Sequence, residues 1–158
     1  MQVYLSLGTN LGNKETNLRL AILHIGKRIG RITALSAFYA TEPWGFQSDH
    51  TFLNAALAVR TRFLPVEVLY LTQSIEYQMG RMRKSANGTY HDRIIDIDLL
   101  FYNDWIVDIP ELKIPHPLMH ERLFVLEPMV EIAPEFVHPV LNKTMRELMQ
   151  ELSHLHAI

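Results

Sequence analysis

Apolar residues along this chain change their spacing from segment to segment, and the changes mark its elements. Residues 2–7 read as a first strand, ended by the turn-rich stretch Gly8-Thr9-Asn10-Leu11-Gly12-Asn13. Leu18, Ile22, Ile25 and Ile29 then recur at helical spacing, and Gly30 supplies a C-terminal stop. Residues 31–39 predict a second strand, closed by Thr41-Glu42-Pro43-Trp44-Gly45. Phe52 to Thr61 predicts a third, mostly apolar strand, and Pro65 suits the first position of a helix running to about Met79, with Gly80 ending it. A strand follows from Arg93 to Tyr102 and turns at Asn103-Asp104 into a short strand, Trp105 to Val107. Prolines at 110, 115, 117, 128, 134 and 139 predict loops and short helices there. Thr144-Met145-Arg146-Glu147 is a capping-box signature, and Leu148, Met149, Leu152 and Leu155 make the last helix amphipathic. No linker, repeat or low-complexity segment interrupts this order, so residues 1–158 are expected to form one domain. The order β-α-β-β-α-β predicts an α+β fold. Its expected form is a ferredoxin-like βαββαβ core, a three-layer α-β-α sandwich, with C-terminal helical and short-strand additions.

The strand Arg93-Ile94-Ile95-Asp96-Ile97-Asp98-Leu99-Leu100-Phe101-Tyr102 carries two carboxylates one residue apart. Alternate side chains of a strand share a face, so Asp96 and Asp98 point the same way, roughly 6–7 Å apart along the backbone. Ile95, Ile97, Leu99 and Phe101 are expected on the opposite, core-facing side, with Leu100 and Tyr102 continuing the aspartate side. Two like charges this close are costly without a cation between them. Oxygen-only ligands select a hard ion, and magnesium completed by waters and phosphates is the usual solution. The stretch 81–93 adds Arg81, Arg83, Lys84 and Arg93 against the single carboxylate of Asp92. Guanidinium groups neutralise phosphate oxygens with fixed fork geometry, so the acidic pair and the basic cluster together point to magnesium plus polyphosphate. Residues 85–92 are polar and contain Gly88, which suits a loop able to close over ATP.

Composition narrows the classes. A hydrophobic fraction of 48% and a charged fraction of 20% are ordinary for a globular domain, and a net charge of −2 argues against a dedicated nucleic-acid binder. Without cysteine, disulfides, thiolate zinc sites and cysteine nucleophiles are excluded. No signal peptide and no apolar run near ~20 residues is present, so a cytoplasmic location is expected. The turn at Gly8–Gly12 has no Lys-Ser/Thr pair after it and is not a Walker A loop. His116 and His120 lie four apart but Pro117 intervenes, so a histidine near phosphates suits His116 better than zinc. Gln73 and Glu76 share one helix face, by default an exposed polar one. Phe52 and Phe124 by themselves read as core residues.

Six segments together resemble the 6-hydroxymethyl-7,8-dihydropterin pyrophosphokinases of the folate pathway, almost end to end. They are Leu7–Gly12, Phe38–Gly45, Phe52–Ala55, Glu76 through Lys84, Arg93–Asp98, and Ile114-Pro115-His116 through Arg122-Leu123-Phe124. The resemblance implies transfer of pyrophosphate from ATP to the pterin hydroxymethyl group, releasing AMP. It implies two magnesium ions on Asp96 and Asp98, with Arg81 and Arg83 nearest the travelling group. ATP would meet Gln73, Glu76, Arg81, Arg83, Lys84, Arg93, Ile97 and His116. The pterin would lie between Phe52 and Phe124, read by Asn54, with Thr41, Glu42 and Trp44 completing the pocket and Arg122 closing it. A monomer handling small molecules, with no nucleic acid and no membrane, is expected. Asp92 stands where the family commonly has proline, Tyr90 where tryptophan is frequent, and Phe52 where tyrosine is also common. Another magnesium-dependent Asp-x-Asp nucleotidyl or glycosyl transferase is the competing reading, and an RNA-binding module on a ferredoxin-like sheet is a weaker one.

Overall fold

The computed structural model describes residues 1–41, 51–80 and 94–156. Its strands are β1 (Gln2–Thr9), β2 (Arg31–Leu35), β3 (Tyr39–Thr41), β4 (Phe52–Arg60), β5 (Asp96–Tyr102), β6 (Val107–Ile109) and β7 (Leu112–Ile114). Its helices are α1 (Lys14–Arg28), α2 (Pro65–Gln78), α3 (Leu123–Ile132) and α4 (Met145–His156), with a short 3₁₀ turn at Met119–Glu121. The result is a mixed α/β fold. One antiparallel sheet runs β2-β4-β1-β5, with β3 also paired to β4, and β6-β7 forms a separate hairpin.

Helix α1 starts where the Asn13 side chain accepts from Thr16 N at 3.1 Å, and it buries Leu18, Ala21 and Ile25 toward the sheet. Gly30 stops the helix as expected, without a positive φ, and a close backbone approach is what requires it. A Cβ there would lie 1.8 Å from the carbonyl oxygen of Arg60, so the turn can press on β4 only if it carries no side chain. Gly80 after α2 does adopt the positive-φ conformation that ends a helix, at +115°. The capping box forms as expected: Glu147 N donates to Thr144 Oγ1 at 3.1 Å and Thr144 N to Glu147 Oε1 at 3.0 Å. Leu155, expected on the apolar stripe, is 70% exposed because α4 has passed its packing partners by that turn.

Four strand expectations need correction. β5 begins at Asp96 rather than Arg93, since Ile94 and Ile95 precede the pairing with β1 that starts at Gly8. β1 runs through Gly8 and Thr9, because both pair with β4, at Asn54 and Leu53. The segment 31–39 is two strands: Leu35 pairs with Leu57 but Tyr39 with Asn54, so one residue bulges out between them. The bulge is held by hydrogen bonds off the ladder, since Ser36 Oγ accepts from Ala56 N at 2.9 Å and Ala37 N donates to the Glu131 carboxylate at 3.1 Å. The short strand after β5 begins at Val107 rather than Trp105, after the turn that Trp105 N closes onto Tyr102 O at 3.0 Å.

Two cores flank the sheet. On one face α1 and α2 cover Leu5, Leu7, Leu57, Ile97 and Leu99. On the other, α3 and α4 cover Ala56, Leu100 and Phe101 with Val125, Met129, Met145 and Leu148. Alternation along β5 fails at its end. Leu5 pairs with Leu99 but Tyr4 with Phe101, so Leu100 is an inserted residue, and the inversion puts Phe101 on the aspartate side and Tyr102 in the α1–α2 core.

His138 anchors the loop before α4. Its Nδ1 accepts from Val140 N at 3.2 Å and Leu141 N at 3.1 Å, and its ring meets Phe101 edge-on at 5.5 Å. Burial, then the neighbouring His120 charge, lowers its pKa to about 4. An unfolded histidine titrates near 6.5. Between these values the unfolded chain binds a proton that the folded chain refuses, so stability falls as pH drops through that window. Unfolding free energies from urea titrations at pH 7.5 and pH 5 should therefore differ more in the natural chain than in His138→Asn, by up to roughly 2 kcal/mol. An equal pH response in both chains would remove His138 from this role.

Candidate active site

One end of the sheet face that α3 and α4 cover carries polar rather than apolar residues, and strand register decides which of them stand together. Across β5, β1, β4 and β3 one row reads Asp96, Gly8, Asn54, Tyr39. The next reads Asp98, Ser6, Ala56, and Thr41 pairs with Phe52 at the outer edge. Directly opposed residues share a face, so Asp96, Asp98, Asn54, Phe52 and Thr41 are brought together by pairing alone. Two strand spacings separate the aspartate column from the Asn54 column, about 10 Å.

The floor between those columns is made of the smallest side chains. A Cβ on Gly8 would lie 3.0 Å from Asn54 Oδ1. Asn54 is 3% exposed, and its amide nitrogen donates to Thr41 Oγ1 at 2.8 Å, which orients the amide. On the other side Asp96 and Asp98 are half-buried. Oxygen donors alone at that spacing suit a hard cation that keeps waters or phosphate oxygens as its remaining ligands. Among the described residues no group of three or more His, Asp or Glu forms a fuller metal cage.

Glu76 does more than face outward from its helix. It is 4% exposed, and its Oε2 accepts from Ile97 N at 2.8 Å, bracing β5 between the two aspartates. The Ile97 side chain is in the α1–α2 core at 5% exposure, so only its main chain can meet a ligand. Gln73 stands exposed on α2, in the helix layer on the opposite side of the sheet.

His116 joins the site through its backbone, which donates to Leu100 O at 3.1 Å beside the aspartate strand. Its Nδ1 accepts from Leu118 N at 3.2 Å, so the neutral ring carries its proton on Nε2. Burial lowers its pKa and the Arg122 charge lowers it further, while the Asp96 charge raises it; these three groups share one field. The Arg122 guanidinium lies 5.7 Å from the ring centre of Phe124, which sits in the first turn of α3 and is 38% exposed. Glu42, Trp44, Arg81, Arg83, Lys84 and Arg93, and the loop 85–92, lie outside the described residues.

Sequence reasoning missed Gly8, Ser6, Glu131 and Tyr39. Glu131 of α3 receives Ala37 N on both carboxylate oxygens at 3.1 Å and also the Tyr39 hydroxyl. That hydrogen bond, followed by burial and the Glu131 and Glu127 charges, pushes the tyrosine pKa up to about 12. The carboxylate thereby ties α3, which carries Phe124, to β3, which carries Thr41. No local pattern marks such a pairing between residues more than ninety apart in sequence.

Comparison with known proteins adds the following. Residues 4–134 match the family model for 7,8-dihydro-6-hydroxymethylpterin-pyrophosphokinase. The chain is 49% identical over 138 residues to the 2-amino-4-hydroxy-6-hydroxymethyldihydropteridine pyrophosphokinase of Porphyromonas gingivalis, covering 87% of this chain and 93% of that protein. It is 40% identical over 134 residues to the Bacillus subtilis protein of the same name, covering 84% of this chain and 78% of that protein. Among solved structures, wild-type Plasmodium falciparum HPPK-DHPS with pteroate superposes at a TM-score of 0.78 with 19% identity, over 99% of this chain. The chain spans 44% of that longer protein, so this likeness concerns the fold alone.

Proposed function

From the premise that this chain belongs to the 7,8-dihydro-6-hydroxymethylpterin-pyrophosphokinase family, we propose that the polar end of the sheet face is the floor on which its two substrates meet. The activity is transfer of pyrophosphate from ATP to 6-hydroxymethyl-7,8-dihydropterin in folate biosynthesis, with AMP released. A nucleotidyl or glycosyl transferase using the same Asp-x-Asp pair is not favoured by these relatives. The observation that supports the site assignment is the row Asp96–Gly8–Asn54, in which the carboxylate strand and the Asn54 strand flank a residue without a side chain.

Asp96 and Asp98 would hold two magnesium ions, a role their shared face and oxygen-only chemistry support. When bound, these ions lower the pKa of the attacking alcohol and offset charge on the bridging oxygens of ATP. Asn54, oriented by Thr41, reads the amide edge of the pterin. Phe52 and Phe124 supply flat faces at little entropic cost, with Arg122 held over the second ring. His116 offers its Nε2 proton to phosphate oxygens. Arg81, Arg83, Lys84 and Arg93 supply further positive charge on the triphosphate, with Gln73 beside the nucleotide, Glu42 and Trp44 beside the pterin, and Ile97 contributing main chain only. The core is read as ferredoxin-like, which the strand order β2-β4-β1-β5 supports, and residues 1–158 as one catalytic domain acting as a cytoplasmic monomer. No helix among the described residues is long and apolar enough to cross a membrane.

The decisive experiment is AMP release from ATP and magnesium with and without 6-hydroxymethyl-7,8-dihydropterin. Release should depend on the pterin; pterin-independent release would overturn the reading. Because Glu131 aligns the elements carrying Thr41 and Phe124, Glu131→Ala should raise KM for the pterin about tenfold. KM for ATP should stay within about twofold, and equal changes in both would reduce Glu131 to a general stabiliser.

A further inference from the structure

At the sheet end opposite the aspartates, cationic side chains gather without carboxylate partners among the described residues. Lys27, Arg28, Arg60 and Arg62 line a hollow of about 340 Å³, and Arg31 stands directly across the ladder from Arg60. A second hollow of about 630 Å³ shares Arg60 and Arg62 in its wall. Elsewhere among the described residues, Arg19, Lys113, Lys143 and Arg146 each pair with a carboxylate. The cations lacking one gather at the candidate active site, as Arg122 does, and at this opposite end. Arg28 bonds only the neutral groups of Gln78 and Ser74, at 2.8 and 2.9 Å, and Arg62 lies 5.3 Å over the Phe63 ring.

A basic turn after a helix is often no more than compensation of the helix dipole. That accounts for Lys27 and Arg28 in the last turn of α1 and for neither Arg31, Arg60 nor Arg62, which lie on or beside strands. Like charges facing each other across a ladder are destabilising, so Arg31 opposite Arg60 costs stability unless an anion joins them. The backbone beneath is rigid. The α1–β2 turn lies so close to Arg60 O that only Gly30 fits, Thr61 Oγ1 donates to Ile29 O at 2.7 Å, and Phe63 N donates to Thr61 Oγ1 at 3.1 Å. Four cations lining one ligand-sized hollow, with a fifth, Arg31, across the ladder from Arg60, call for a compact anion of several charges, and the chain's net charge of −2 speaks against a nucleic-acid polymer.

We propose that Lys27, Arg28, Arg31, Arg60 and Arg62 form a second, non-catalytic binding site for a small polyphosphate anion, either free or carried by a nucleotide. Guanidinium forks on Arg31, Arg60 and Arg62 donate bidentate hydrogen bonds to phosphate oxygens. Their neutralisation also removes the repulsion across the ladder, so binding stabilises the fold.

Amide shifts of the isotope-labelled protein, titrated in EDTA at 0.15 M salt with tripolyphosphate, ATP or AMP, test this. Tripolyphosphate should move Gly30, Thr61 and Phe63, and Arg60→Gln/Arg62→Gln should weaken that binding about tenfold or more while pyrophosphoryl transfer is unchanged. Lys27→Gln/Arg31→Gln serves as an independent second variant and should weaken it likewise. Tighter binding of tripolyphosphate than of ATP assigns the site to free polyphosphate, and the reverse assigns it to a nucleotide; both uphold the site. Shifts confined to residues around Asp96 and His116, unchanged affinity in both variants, or AMP binding as tightly as tripolyphosphate would overturn it. The titration needs no pterin and no turnover, so its failure leaves the pyrophosphokinase reading standing.

Discussion

Asp98→Ala should lower kcat for pyrophosphoryl transfer by roughly a thousandfold, equivalent to about 4 kcal/mol of transition-state stabilisation. Its melting temperature should stay within a few degrees of the natural chain, because the strand that carries this carboxylate is anchored by its apolar side chains. Asp98 is half-buried on the polar end of the sheet, across from Ser6, and the strand beneath it is held by Ile97 and Leu99 in the α1–α2 core. Removing one of two neighbouring like charges also relieves repulsion. The loss should fall on the metal-dependent step, so added magnesium should shift the natural enzyme's activity curve and leave that of the variant flat. Asp98→Asn, which keeps shape and removes charge, should be nearly as inactive. Substantial transfer surviving in either variant would sink the assignment of Asp98, and a large drop in melting temperature would make it a structural residue.

Gly8→Val should be the most damaging change that adds atoms rather than removing chemistry. Gly8 pairs with Asp96 on one side and Asn54 on the other, at the centre of the site floor. Its φ lies outside the left-handed region, so a β-branched residue suits the strand and folding should survive. The first added atom already lies 3.0 Å from Asn54 Oδ1, and the two methyl groups fill the space between the Asn54 and aspartate columns. KM for the pterin should rise roughly a hundredfold, with ATP binding less affected. Steady-state kinetics at fixed saturating ATP measures this. A pterin KM within a factor of about three of the natural value would show that the substrate does not cross Gly8.

The shared face of the carboxylate pair and several helix ends were legible because their signals are local. Asp96 and Asp98 share a face by the period of two, Gly80 ends a helix, and Thr144 with Glu147 closes a capping box over three residues. Failures came where distant segments decide the outcome. Ser36 and Ala37 leave their strand because Ala56 and Glu131 offer hydrogen bonds. Phe101 and Tyr102 exchange faces because β1 and β5 pair with an inserted residue, which no alternation pattern within β5 reveals. Glu76 looked like an exposed helix residue and is buried against Ile97 N, since α2 packs over β5.

By itself, then, the sequence determined the element order, the metal-suited carboxylate pair and the family, all readable from short-range spacing and side-chain chemistry. Tertiary structure alone decided that Gly8 is a floor, that Glu131 and Glu76 are braces, and that cations from α1, β2 and β4 gather at the far end. Strand register and helix packing are long-range, and a one-residue shift in either moves a side chain to another face.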